Sequence, residues 1–139
     1  MNTMTLNMSQ GPAGVQQLRP DQHLIFTDSM GDCVSVIVLY NLDKRTFAYA
    51  EARGQHGNGG IDYVDFKTLL RGVPNNRENR IIVIPGTQHT SRYAQDHIKE
   101  FVKNATRMNH QLLTIKILTA RSSAKIDRFG EVVFKELSQ

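Results

Sequence analysis

The stretch FTDSMGDCVSVIVLY, residues 26–40, constrains this chain more than any other. Its apolar run, Val34 to Tyr40 with only Ser35 interrupting, is the longest in the sequence. It is still far shorter than the roughly 20 apolar residues that a membrane-crossing helix requires. The run therefore reads as a strand inside a globular fold, entered through the turn residues Met30-Gly31-Asp32. A second run, RIIVIPGT, is short and β-branched, the pattern of a strand buried on both faces.

Around these runs the pattern alternates between strand and helix signals. HLIFT has the size and β-propensity of a strand, and the polar NLDKRT after Tyr40 is a turn leading into the strand FAYAEARG. QHGNGG is expected to break regular structure, because its glycines and asparagine tolerate positive φ. From Asp62, residues Val64, Phe66, Leu69 and Leu70 fall at helical spacing, and Gly72 and Pro74 stop that helix. A second helix is expected from Arg92 to Met108, with Thr90 or Ser91 as N-cap and Tyr93, Ile98, Phe101, Val102 and Ala105 on its apolar side. LLTIKILTA and EVVFKEL read as closing strands. The order β-β-β-α-β-α-β-β predicts an α/β (α+β) fold, with a mixed, largely antiparallel sheet packed with two helices.

A chain of 139 residues is one ordinary domain, able to bury roughly two thirds of its unfolded surface without staples. Order is expected from Gln22, giving one domain over 22–139 behind a mobile polar tail, residues 1–21. MNTMTLNMSQGPAG lacks the charged and apolar regions of a secretory signal, although its polar composition suits an unprocessed export signal of the kind carried by injected bacterial effectors. One cysteine excludes an internal disulfide and a thiolate-rich zinc site. The net charge of +4 is spread over scattered arginines, a pattern that favours an acidic protein surface over nucleic acid, and no membrane insertion is expected.

Cys33 is the one candidate thiol nucleophile. Such a thiol needs a neighbouring base, and acyl transfer needs donors for the developing oxyanion. Gly31 permits the sharp turn that points nearby amides at a bound carbonyl, whereas the adjacent carboxylate of Asp32 disfavours the thiolate.

The segment Thr27-x-x-x-Gly31-Asp32-Cys33-Val34-Ser35-Val36 resembles the T-x-x-x-G-S-C-V-A-V segment of the CheD family, the chemoreceptor glutamine deamidases of bacterial chemotaxis. It is also similar to the catalytic core of cytotoxic necrotizing factor-like toxins, which deamidate glutamines on host proteins. The resemblance extends more weakly over most of the chain, and AKIDRFGEVVFK resembles the family's C-terminal hairpin. It implies a CheD-like fold and active-site roles for Thr27 and Cys33, with Gly31 carried over beside them; the turn itself offers Gly31 and Asp32 as the residues that position oxyanion and substrate. It also implies a protein substrate, either a chemoreceptor or a host signalling protein, and no metal or organic cofactor. The location implied is the cytoplasm, or a host cell into which an effector is secreted.

The chain departs from the family at the base. The family's strand histidine corresponds to a place near Ala50 or Glu51, where this sequence has none. His56, in the glycine-rich segment beyond that strand, is the first substitute, and the loop would have to fold back to bring it to Cys33. His89, in PGTQHTS between a strand and a helix, is the second, with Asp127 or Asp96 to orient its ring. His23, His97 and His110 sit in polar surroundings and are weaker candidates. Two other readings stay open: an anion-binding module at the PGT turn, and a non-catalytic adaptor that keeps the deamidase-like fold and binds a partner protein.

Overall fold

The computed structural model describes residues 5–8, 14–20, 24–28, 30–57, 59–107 and 113–133. Among these residues eight strands and two helices follow one another: β1 (Thr5–Asn7), β2 (Gln16–Leu18), β3 (Leu24–Thr27), β4 (Val34–Asp43), β5 (Ala48–Gly57), α1 (Phe66–Leu69), β6 (Arg80–Pro85), α2 (Arg92–Arg107), β7 (Thr114–Ile117) and β8 (Ala124–Asp127). They form a five-stranded sheet in the order β2-β5-β4-β6-β7 and a three-stranded sheet in the order β1-β3-β8. Only β6–β7 and β1–β3 run parallel, so the fold is mixed α+β with largely antiparallel sheets.

β4 is central because its sequence is apolar on both faces. Successive side chains of a strand point to opposite sides, so Val34, Val36, Val38 and Tyr40 face one layer and Ser35, Ile37 and Leu39 the other. The even positions join Ile81 and Val83 of β6 and pack against Phe66, Leu69, Ile98 and Val102 of the helices. The odd positions join Ile82 and Ile84 and pack against Ile25, Ala124 and Ile126 of the small sheet. The result is three layers, helices on sheet on sheet, with two cores that share β4 and β6. Each fully buried leucine or isoleucine here stabilises the fold by about 1.5–3 kcal/mol.

α2 forms because its apolar residues recur every three or four positions, burying Ile98, Val102 and Thr106. Its first turn is capped as expected, with the Ser91 hydroxyl accepting from the Ala94 amide at 3.1 Å. Tyr93, assigned to the apolar side from sequence, is instead 84% exposed, because five positions before Ile98 is about 1.4 turns, which turns it away from the buried face. The first helix is short: a 3-10 turn Ile61–Tyr63 precedes α1, which Asp65 caps by accepting from the Thr68 amide.

Three expectations need correction. The N-terminal segment is not a tail throughout, because β1 and β2 are strands that pair with β3 and β5. QHGNGG does not end the strand at its start, since β5 runs on through Gln55, His56 and Gly57 in register with β4. The closing strand begins earlier than EVVFKEL: β8 is Ala124–Asp127, and a bridge from Ile126 to Val132 makes the hairpin, while residues 134–139 lie outside the described residues.

Candidate active site

The segment Met30–Cys33 joins the small sheet to the large one, and another segment clasps it. Gly86 N donates to the Cys33 carbonyl at 2.8 Å, Thr87 N to Met30 at 2.9 Å and Gln88 N to Gly31 at 2.9 Å. The remaining carbonyl, that of Asp32, accepts from the His89 ring at 2.7 Å. All four successive carbonyls thus face Gly86–His89. In a planar trans peptide the N–H points opposite to the preceding C=O, so the amides of Gly31, Asp32 and Cys33 turn away from the clasp.

The clasp depends on a missing methyl group. A Cβ on Gly86 would stand 2.4 Å from the Gly31 carbonyl oxygen, 2.6 Å from that of Cys33 and 2.8 Å from that of Met30. Only glycine fits. Sequence reasoning read PGT as a turn and an anion-site candidate, and it passed over Gly86. Its amide, with those of Thr87 and Gln88, is spent on carbonyls, which removes these donors from anion binding.

Cys33 is buried, and its thiol lies 3.6 Å from Asp32 Oδ1, within donating range. By alternation it shares the face of Ser35 and Ile37, between the two sheets. Thr27 reaches the same layer from the other side. It ends β3 opposite Ala124, two residues beyond the inward-facing Ile25, and is fully buried with no partner for its hydroxyl among the described residues.

His56 enters this layer as well. It is the register partner of Ser35, is 1% exposed, and neither ring nitrogen has a hydrogen-bond partner of normal geometry among the described residues. Burial holds its pKa below the ordinary imidazole value, opposed by the Met8 backbone. Cys33 precedes Ser35 by two residues, so its Cα lies about 7 Å along β4 from the Ser35–His56 pair. No folding back of a loop is needed. By contrast, Glu51 pairs with Tyr40, seven residues and about 23 Å along β4 from Cys33. The long hairpin therefore brings His56, and not Ala50 or Glu51, opposite the start of β4.

The other candidates separate. His89 touches the Asp32 backbone beside the thiol, and because a carbonyl only accepts, its Nε2 carries the proton. Neither expected carboxylate orients it: Asp127 accepts from the Phe129 and Glu131 amides, and Asp96 lies 4.0 Å from Arg92. His97 pairs with Asp62 at 3.0 Å on the outer face of α2. His23 and His110 lie outside the described residues. Among the described residues no group of three His, Cys, Asp or Glu side chains can hold a metal ion, and no helix is long and apolar enough to cross a membrane.

Ser35 was missed by sequence reasoning as a member of the site. Its hydroxyl lies 3.0 Å from the Met30 sulfur, and it stands directly opposite His56. A polar residue interrupting an otherwise apolar run was the available signal. No known family model and no curated protein sequence matches this chain.

Proposed function

We propose that the protein is a cysteine-dependent amide hydrolase that deamidates a glutamine side chain on a partner protein. The observation that carries this reading is the buried His56 imidazole, whose ring nitrogens have no hydrogen-bond partner of normal geometry among the described residues, sharing one inter-sheet layer with Cys33 and with the Thr27 hydroxyl, which has none there either. Leaving three buried polar atoms without partners costs about 1–3 kcal/mol each, and such vacancies concentrate where chemistry needs them. The CheD-like segment Thr27 to Val36 supports the same reading.

In the proposed chemistry His56 takes the thiol proton, and the Cys33 thiolate forms a C–S bond to the glutamine amide carbon. The amides of Gly31 to Cys33 hold the oxyanion, and Thr27 orients the substrate amide. The C–N bond breaks as the imidazolium gives its proton to the departing ammonia. Water, deprotonated by His56, then attacks the thioester; the C–S bond breaks, and the thiolate recovers its proton. The net change is glutamine plus water to glutamate plus ammonia, and these steps call for no metal or organic cofactor.

The substrate is a chemoreceptor or a host signalling protein such as a small GTPase, and the site of action follows from which it is. Mass spectrometry tests this directly. Incubation with candidate proteins is expected to add about 1 Da at one glutamine, and Cys33→Ala is expected to abolish the gain. No gain on any candidate, together with an unchanged cellular effect of Cys33→Ala, sinks the hydrolase and leaves the adaptor. The adaptor has one observation in its favour: the thiol is covered.

A further inference from the structure

For a hydrolase, the covered thiol poses a question of access. Cys33, His56 and Thr27 are each at most 1% exposed. The cover over β5 includes the N-terminal segment. β1 is the outer strand of the small sheet beside β3, and β2 is the outer strand of the large sheet beside β5. Between them sits Met8, one register position beyond the Asn7–Phe26 pair and therefore next to Thr27. Its side chain is buried over Gly54, where a Cβ would stand 2.6 Å from the Met8 sulfur and 2.8 Å from its methyl carbon. Gly54 and His56 share a face of β5, and the Met8 backbone lies against the His56 ring.

This cover is slight. β1 has three residues, joined to β3 by main-chain pairing, and Met8 anchors it through one unbranched side chain. Main-chain pairing accepts any extended peptide, while a notch selects one side chain, so the same edge suits a segment of another protein. Short outer strands also open at the lowest free energies in a structure.

We propose that residues 5–8 are a place-holder for the substrate: an extended segment of the partner protein displaces β1, pairs with β3, and seats an unbranched apolar side chain in the Gly54 notch. Its glutamine is thereby delivered to Thr27, His56 and Cys33. This rests on the hydrolase reading of those three residues, whereas the surface is defined by β3, Gly54 and Met8.

The test reads access to Cys33 by iodoacetamide alkylation of the full chain, followed by intact-mass spectrometry. Met8→Ala empties the notch, and Gly54→Ala fills it from the β5 side; each is expected to speed alkylation at least about tenfold. Gly54→Ala keeps the test available should Met8→Ala fold poorly. Adding the synthetic peptide MNTMTLNM to the Met8→Ala chain is expected to restore protection, and MNTMTLNE, ending in a charge, is not. Unchanged alkylation in both variants, or equal effects of the two peptides, overturns the place-holder. An opened chain that alkylates quickly but converts no glutamine keeps the place-holder and removes the hydrolase.

Discussion

Ser35 and His56 are register partners across the β4–β5 ladder, and both side chains are buried between the two sheets. A hydroxyl facing an imidazole whose two nitrogens have no hydrogen-bond partner of normal geometry among the described residues makes this ring the best candidate base, and its consequences are measurable.

Removing the ring separates the two candidate histidines. His56→Ala is expected to lower kcat by 100-fold or more, within the roughly 10²–10⁴ range of general-base catalysis. His89→Ala removes one hydrogen bond to the Asp32 carbonyl, so about 1 kcal/mol of stability and a smaller rate loss are expected. Steady-state ammonia release on a verified substrate checks both. A large loss in His89→Ala with a small one in His56→Ala would make His89 the base.

The pH dependence follows from burial. His56 must be neutral to accept the thiol proton, and its pKa lies below the ordinary 6.5, so its base form persists to more acidic pH than a solvated histidine's. For stability the sign is the same: between the lowered folded pKa and 6.5 the unfolded chain binds more protons, so the contribution is full above 6.5, is lost as pH falls through that window, and changes no further below the folded pKa. Urea unfolding of His56→Gln against the parent over this range is expected to flatten the dependence.

Thr27→Val tests whether the unpartnered hydroxyl serves the fold or the reaction. The shapes are alike, and the hydroxyl makes no hydrogen bond among the described residues. Stability is expected to hold or to rise by about 1 kcal/mol while deamidation falls. Thermal melting beside the activity assay decides. A large loss of stability would assign Thr27 to the fold.

Gly86→Ala forces a methyl group into three carbonyl oxygens. Overpacking of this kind costs about 1–3 kcal/mol, and the Met30–Cys33 turn should shift with it. A lower urea midpoint together with reduced Cys33 reactivity is the expected outcome.

Much of the fold was legible because its signals are local. The apolar run of β4, the β-branched β6 and the 3.6-residue period of α2 each announce themselves within six to sixteen residues. What escaped reading depends on distant partners. The glycines after His56 looked like a break, yet β5 runs on to Gly57, where a Cβ would stand 2.9 Å from Val64, and the role of Gly54, making room for Met8, has no local signal. β1 and β2 carry no apolar period of their own and are ordered by the edges they join. Gly86 looked like an ordinary turn residue because its reason lies more than fifty positions earlier, in the carbonyls of residues 30–33. Thr27 and Cys33 came from a motif, but which histidine lies nearest the start of β4 depended on hairpin length, which register alone reveals.

The two outer strands near the N-terminus also carry a consequence for biogenesis. Ribosomes make Gln16–Leu18 well before Ala52–Gly54, the stretch that docks them. At about 5–20 residues per second, the nascent polypeptide waits roughly 2–7 s with that edge unmatched. Newborn molecules therefore pass through an interval in which the latch has nothing to close upon.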